Sequence, residues 1–365
     1  MTRMNSFQQP GLAPLPLTHG LMQTIRALGE YKGRQALFQQ QSPQALQTLR
    51  QAAIVQSTES SNRIEGVVAP PKRIQELVAD KTTPRNRSEQ EILGYRDVLA
   101  TIHANAPDMT PFTPGLVQQL HRDLFRYTTQ PGGDWKATDN AITEIRPDGT
   151  RLVRFQPTPA HLTPMAMEDL HRDFRARQEE SDVDALLLIP AYVLDFLCIH
   201  PFRDGNGRMA RLLTLLLLYQ AGYEVGRFIS LEQIIEHTKE SYYETLYASS
   251  QQWQEGRHTL LPWTEYFLGV LLAAYRDFEQ RVGTLTGAHG GKTQMVRDAV
   301  LRLPDGFRIA DVERLCPTVS RDMIRLVLRR MRPEGVFSEG AGGAAVWRKP
   351  PTLTAGSPAT RNDHL

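Results

Sequence analysis

Two apolar helical stretches, Val183 to Ile199 and Asn206 to Ala221, flank a tight turn marked by Gly205 and Gly207. Leu212 to Leu218 is the most hydrophobic run in the chain. It is far too short to span a bilayer and reads as a buried core helix. Helical periodicity dominates elsewhere. Leu21 to Tyr31 is apolar at helical spacing, and so is Pro43 to Val55, with Ser42 placed as a cap and Pro43 at the first helical position. Ser57 to Glu65 continues as a short helix that Gly66 stops. Pro70 and Pro71 break the pattern. A helix from Ser88 follows, with Ile92, Leu93, Tyr95, Val98, Leu99 and Ile102 as its apolar stripe. Later helices cover Pro164 to Arg177, Leu231 to Glu255 (broken inside) and Trp263 to Thr284.

Two segments depart from this pattern. Ala141 to Ile145 and Arg151 to Phe155 are β-like runs joined by Pro147-Asp148-Gly149, which predicts a hairpin within a helical body. Beyond a linker at Gly287 to Gly291 lies a compact block. It reads as helices at Thr293 to Leu303 and Ile309 to Leu315, then a longer helix from Ser320 to Met331. A hairpin follows, from Glu334 around Gly340 to Gly343 and back through Val346-Trp347. That order is the pattern of a small winged helix-turn-helix.

Charge singles out the same block. The whole chain is nearly balanced, with 42 Lys/Arg against 40 Asp/Glu. Lys292 to Lys349 holds 12 Lys/Arg and 7 Asp/Glu, an excess of +5. Arg321, Arg325 and Arg329 recur every fourth residue and Arg330 follows, which suits phosphates or base edges in DNA. A face salt-bridged to the body, or used for dimer contact, fits the same spacing. Cys198 and Cys316 have no partner spacing for zinc or redox chemistry, and two free thiols suit the cytosol. The polar, proline-rich start, Met1 to Thr18, shows no signal peptide, so the expected location is cytoplasmic, without membrane association.

The residues with chemical meaning lie in the turn itself, His200-Pro201-Phe202-Arg203-Asp204-Gly205-Asn206-Gly207-Arg208-Met209-Ala210-Arg211. Backbone N–H groups at a glycine-rich helix start form a nest for phosphate, and the helix dipole adds attraction. Arg208 and Arg211 are three apart, share a helix face and can reach one polyphosphate. Asp204 precedes the helix, where it can hold a magnesium ion that bridges phosphate oxygens. His200 stands at the entry, where an imidazole can take a proton from an attacking hydroxyl. A helix–helix turn can use Asp-Gly-Asn-Gly for its backbone geometry alone. Such a turn requires neither the histidine nor the two arginines.

The segment resembles the Fic signature, His-Pro-Phe-x-Asp/Glu-Gly-Asn-Gly-Arg-x-x-Arg, at every fixed position. The resemblance implies a mainly α fold: a Fic helical core with a β-hairpin flap. It implies ATP with Mg2+ as substrate and AMP transfer to a Ser, Thr or Tyr hydroxyl of a protein. His200 would be the general base and Asp204 the metal ligand. Gly205, Asn206 and Gly207 would hold phosphates, Arg208 and Arg211 would clamp them, and Phe202 would anchor the turn in the core. The hairpin would align the target by strand addition. Tyr242 and Tyr243 are similar to the residues of the family's downstream helix along the adenine site. Ser61-Asn62-Arg63-Ile64-Glu65-Gly66 resembles the family's inhibitory motif. There Glu65 would take Arg211 in a bidentate pair and leave ATP in a non-productive pose.

The expected organisation is a disordered start (1–18), an N-terminal helical region with the inhibitory helix (19–108), the Fic core (109–285), the winged-helix domain (286–349) and a disordered tail (350–365). The expected activity is that of an autoinhibited adenylyltransferase that acts on a target protein or on itself, with a homodimer paired through the core as a candidate assembly. Two alternatives stay open. Glu65 can position a water that removes AMP, or the protein is a DNA-binding regulator with a nucleotide-sensing core.

Overall fold

The computed structural model describes residues 6–7, 15–41, 43–145, 150–180, 183–287, 291–317, 319–340 and 345–350. The fold is mainly α. Its helices are α1 (His19–Gln41), α2 (Pro43–Ile64), α3 (Pro71–Val78), α4 (Arg87–Asn105), α5 (Pro114–Leu124), α6 (Thr163–Glu180), α7 (Ala185–Ile199), α8 (Asn206–Gln220), α9 (Leu231–His237), α10 (Lys239–Ser250), α11 (Leu261–Gly287), α12 (Gly291–Arg302), α13 (Ile309–Leu315) and α14 (Arg321–Arg330). Strands β1 (Ile142–Ile145) and β2 (Arg151–Phe155) pair antiparallel, as do β3 (Phe337–Glu339) and β4 (Val346–Arg348). No helix among the described residues is long and apolar enough to cross a membrane.

The chain divides into two compact units, one of Met1–Lys32 with Leu49–Arg276 and the other of Gly33–Thr48 with Asp277–Leu365. In the first, α7 and α8 form the centre. α7 buries twelve of its fifteen residues, and α8 buries Leu212, Leu213 and Leu215 to Leu218. α6 packs on α7, and α4 packs on α8. A buried polar knot fastens the last turns of α2. Ser57 Oγ donates to Glu232 Oε2 at 2.7 Å, and Tyr95 Oη donates to Glu232 Oε1 at 3.0 Å. The knot ties α2, α4 and α9 together and so sets the position of Ser61 and Glu65. In the second unit, α12, α13, α14, β3 and β4 enclose their own core, which includes Val296, Val300, Phe307, Val312, Ile324, Leu328 and Trp347.

Several elements differ from the sequence expectation. Pro43 to Ile64 is one unbroken helix, because nothing in it removes a backbone hydrogen bond. It stops at Gly66, whose φ of 77° places it in the left-handed region. Pro71 opens α3 as well as breaking what precedes it. α4 begins at Arg87, since Asn86 Oδ1 caps it by accepting the Glu89 N–H at 2.9 Å. α1 runs on to Gln41, and α5 was not foreseen. α11 continues through Gly287 and α12 begins at Gly291, within the expected linker. The cap at Ser42, the Pro147-Asp148-Gly149 turn, the hairpin tip at 341–343 and the tail at 351–365 lie outside the described residues.

The disorder expected for the first eighteen residues does not extend to Ser6 and Phe7, which are buried. Ser6 N–H and Oγ donate to the two carboxylate oxygens of Asp195, each at 2.6 Å, and Trp253 Nε1 donates to Oδ1 at 2.6 Å. Phe7 packs edge-on against Phe174. Burial pushes the Asp195 pKa up to about 7, although the donors from Ser6 and Trp253 favour the charged form. The folded state therefore holds this proton more tightly than the unfolded chain. Stability from this group falls as pH rises from the ordinary carboxyl range through about 7. Asp195→Ala orphans the buried N–H donors of Ser6 and Trp253, while Ser6 Oγ keeps His258 Nε2 at 2.8 Å, and is expected to cost about 3 kcal/mol, read as a lower thermal midpoint.

Candidate active site

The site forms where α7 ends and α8 begins. His200 leaves α7 with a left-handed φ of 51°, and its N–H still donates to Phe196 O at 2.9 Å. The turn is then fixed from three sides. Phe202 is fully buried and stacks on His121, ring centres 3.6 Å apart. Asn206 accepts the Phe202 N–H at 2.9 Å and donates back to Phe202 O at 2.8 Å. Its side chain thus clamps the turn, leaving its N–H for a ligand. Lys136 Nζ donates to Ile199 O at 3.0 Å and to Asn140 Oδ1 at 2.7 Å, while Asn140 Nδ2 reaches the carbonyls of His200 and Phe202. Lys136 and Asn140 carry no motif, so nothing in their spacing marks them.

Gly205 has φ 80°, and a Cβ there would meet the Phe125 ring at 2.9 Å. The first intrahelical bond of α8 runs from Met209 N–H to Gly205 O. The N–H groups of Asn206, Gly207 and Arg208 precede it, at the positive end of the helix.

A carboxylate already faces that end. Glu65, just past α2, lies so close that a Cβ on Gly207 would stand 2.1 Å from its Oε1. The same oxygen accepts from Arg211 Nη2 at 2.8 Å. Arg211 also donates from Nε to Ser61 Oγ at 2.8 Å and from Nη2 to Ser61 O at 2.9 Å. The Glu65–Arg211 contact is therefore single, not the expected bidentate pair: Glu65 reaches Nη2 alone, which it shares with Ser61 O. Arg211 Nη1 finds no hydrogen-bond partner among the described residues. Burial raises the Glu65 pKa, but Arg211, then Arg208 and His200, more than offset it, and it falls below the usual carboxyl value.

Arg208 and Arg211 do not converge here. Arg208 is buried and pairs with Glu91 at 2.6 Å, over the face of Phe125. Glu91, on α4, was not foreseen, since an isolated glutamate carries no signal of its partner. Glu91→Ala takes the close partner from a buried guanidinium, leaving it only the longer contacts to Asp204 at 3.6 Å and Asn62 at 3.4 Å, and is expected to cost about 3 kcal/mol, measured by denaturant midpoint, with Glu91→Gln losing less. Arg87, one turn earlier on α4, stands 3.5 Å from Asp204 Oδ2.

The His200 pKa is pushed down to about 4, mainly by burial and further by Lys136, so the ring is neutral at pH 7. Its Nδ1 lies 3.3 Å from Leu197 O, and a carbonyl only accepts, so the proton sits on Nδ1. The lone pair is left on Nε2. His121 uses the opposite tautomer. Its Nδ1 accepts the Gly133 N–H at 2.8 Å and its Nε2 donates to Asp204 O at 3.0 Å, which holds the turn.

Glu65, His200, Asp204, Gly205, Asn206 and Gly207 line one cleft of about 790 Å³, with Tyr242 and Tyr243 along α10 and Ile142, Thr143 and Phe155 from the hairpin. Tyr242 is buried and Tyr243 half exposed. The Asp204 carboxylate is 48% exposed and accepts the Gly205 N–H at 2.6 Å. No group of three or more metal-ligating side chains occurs among the described residues. One carboxylate in an open cleft suits a magnesium ion whose other ligands are water and substrate phosphate.

Residues 111–218 match the profile of the Fic/DOC family, a span that includes the hairpin, α7, the turn and most of α8. A Fido domain-containing protein of Dictyostelium discoideum is 36% identical over 64 residues, 18% of this chain and 41% of that protein. The ribonucleoside-diphosphate reductase small chain of Ostreid herpesvirus 1 is 36% identical over 74 residues, 20% of this chain and 13% of that protein. The chain thus spans less than half the length of these curated relatives. A Fic family protein from Desulfovibrio desulfuricans G20 superposes with a TM-score of 0.58 at 19% identity, covering 93% of this chain and 98% of that one. A Fic domain containing signaling protein from Bacteroides thetaiotaomicron VPI-5482 gives 0.59 at 20% identity, covering 71% and 98%. Likeness at these identities is one of fold, and it agrees with the motif and the profile match: residues 111–218 carry a domain of the Fic/DOC family.

Proposed function

We propose that this chain is an autoinhibited protein adenylyltransferase. One juxtaposition carries the reading. The lone-pair nitrogen of a neutral histidine shares a cleft with the N-terminus of α8, and a glutamate from the preceding region faces that same helix end while bonded to Arg211.

ATP would lie with its phosphates against the N–H groups of Asn206, Gly207 and Arg208. Its base would lie along Tyr242 and Tyr243. The hairpin, whose Val153 is exposed, would align an extended segment of the target protein beside it. His200 Nε2 takes the proton from a Ser, Thr or Tyr hydroxyl as that oxygen attacks the α-phosphorus. The bond from the α-phosphorus to its bridging oxygen breaks, and pyrophosphate leaves. Asp204, with the ATP phosphates, would hold magnesium, which neutralises phosphate charge when bound. Arg211, once free of Glu65, would pair with the terminal phosphate through Nη1 and Nη2. Glu65 thus competes with the substrate for one cation and one helix end.

The position of the label tests the reaction. In the Glu65→Gly variant, ATP labelled at the α-phosphate is expected to label protein and release unlabelled pyrophosphate. ATP labelled at the γ-phosphate is expected to leave protein unlabelled. Retention of the γ-label on protein would replace adenylyl transfer with phosphoryl transfer.

A further inference from the structure

The transfer chemistry leaves a strongly charged surface of the second unit unused. α14 turns Ile324, Val327 and Leu328 into that unit's core, with Met331 following. This packing decides which residues face outward. Arg321, Arg329 and Arg330 are exposed and Arg325 is half-buried; Arg321, Arg325 and Arg329 form a strip at i, i+4 spacing, and Arg330 flanks it.

The neighbouring carboxylates leave most of this strip free. Glu334 pairs with Arg297, Asp311 with Arg314, and Asp305 and Glu339 with Arg348. Glu313 and Asp322 touch the start of the strip loosely, at 3.6 Å from Arg321 and 3.4 Å from Arg325. Such exposed pairs are weak and screened, so a phosphate can replace them. Arg329, Arg330 and Arg332 make no ion pair among the described residues. Three cations without an ion pair thus lie along α14 and just beyond its end, and exposed Arg308, before α13, is a further one.

The surrounding backbone presents this strip outward. α13 precedes α14, a short connection joins them, and Ser320 Oγ caps α14 by accepting the Met323 N–H. The hairpin β3–β4 follows. A ten-residue helix is about 15 Å long, and the major groove of B-DNA, about 12 Å wide, admits it.

We propose that the second unit binds duplex DNA through this face. Arg321 and Arg325 would reach base edges, and Arg329, Arg330 and Arg332 would contact phosphates. The face suits a protein partner poorly. On α14 Leu326 is the one large exposed apolar side chain among the described residues, with Phe337 exposed on β3 beyond it, and protein interfaces rely on clustered apolar or aromatic anchors. It also suits single strands poorly, since α14 contains no aromatic residue to stack on a base.

The test is fluorescence anisotropy of the full chain with a labelled random duplex of about 30 base pairs, near 50 and 150 mM salt, where phosphate contacts make affinity fall with salt. The wild type is expected to bind duplex and to lose affinity as salt rises. Arg325→Ala/Arg329→Ala, with an unchanged thermal midpoint, is expected to bind at least about 10-fold more weakly, with a salt slope shallower by about two. Arg325→Lys/Arg329→Lys is expected to keep most of the binding. A control on the other unit, Arg257→Ala, is expected to change nothing. The proposal is overturned if the wild type fails to bind duplex near 50 mM salt, even if it captures an acidic protein. It is also overturned if the double alanine variant binds like wild type, or if single strands bind as tightly as duplex.

Discussion

Glu65→Gly is expected to label protein from ATP about 100-fold faster than the wild-type chain, because it removes the one carboxylate that substrate phosphate has to displace. Glu65 makes a charge-assisted bond to Arg211 at 2.8 Å and faces the positive end of α8. A hydrogen bond between charged groups contributes about 1.5–3 kcal/mol, and each 1.4 kcal/mol is a factor of ten, which sets the scale at one to two decades. Glutamine retains the shape without the charge, so Glu65→Gln is expected to fall between wild type and glycine. Ser61→Ala is expected to do less than either, since Glu65 would still reach the guanidinium. Initial rates with α-labelled ATP and lysate protein, beside calorimetric affinity for a non-hydrolysable ATP analogue, separate release of the site from tighter binding. Equal rates for wild type and Glu65→Gly would remove autoinhibition from the proposal.

The lock also has a pH signature. The Glu65 pKa lies below its ordinary value, so the contact is fully formed above the ordinary carboxyl range. It weakens only as pH falls through the lowered pKa. Wild-type activity is therefore not expected to rise on mild acidification from neutral pH.

The parts that a sequence reveals here are those fixed by local geometry. Gly205 and Gly207 mark a turn that needs a left-handed residue and close approach, and the apolar run after them has to be buried. The Ser61 and Glu65 spacing places both on one turn of the chain, where one guanidinium reaches both. The parts that stayed hidden depend on chain segments far apart in sequence. Glu91 meets Arg208 across 117 positions, and Lys136 meets Ile199 across 63. Neither spacing is periodic, and only the packing of α4 and of the pre-hairpin loop against the α7–α8 turn creates them. The expected convergence of Arg208 and Arg211 failed for the same reason. Sharing a helix face shows where side chains start, while the carboxylates of other segments decide where they end.

His200→Ala in the Glu65→Gly background is expected to lower the initial rate about 10³-fold, the middle of the range for loss of a positioned general base. If His200 acts on the proton alone, kcat falls while the KM for ATP and the affinity for the ATP analogue stay as they were. A matching loss of ATP affinity would instead make His200 a structural support of the turn. The rate of the Glu65→Gly parent should also depend on pH in a defined direction. The imidazole is a base only when neutral, and its pKa in the free protein is about 4. The Glu65→Gly parent lacks one carboxylate that raises this pKa, so the acid limb of kcat/KM is expected at or below that value, with activity lost as pH falls through it and a plateau toward neutrality. Nearby negative charge raises this pKa, as Asp204 and Glu65 already do in part. Bound triphosphate adds more such charge, so the acid limb of kcat is expected at a higher pH than that of kcat/KM. That displacement moves the base toward the operating pH, where proton transfer is most effective, only after ATP is in place. Coincident limbs, or an acid limb that survives His200→Ala, would assign the proton to another group.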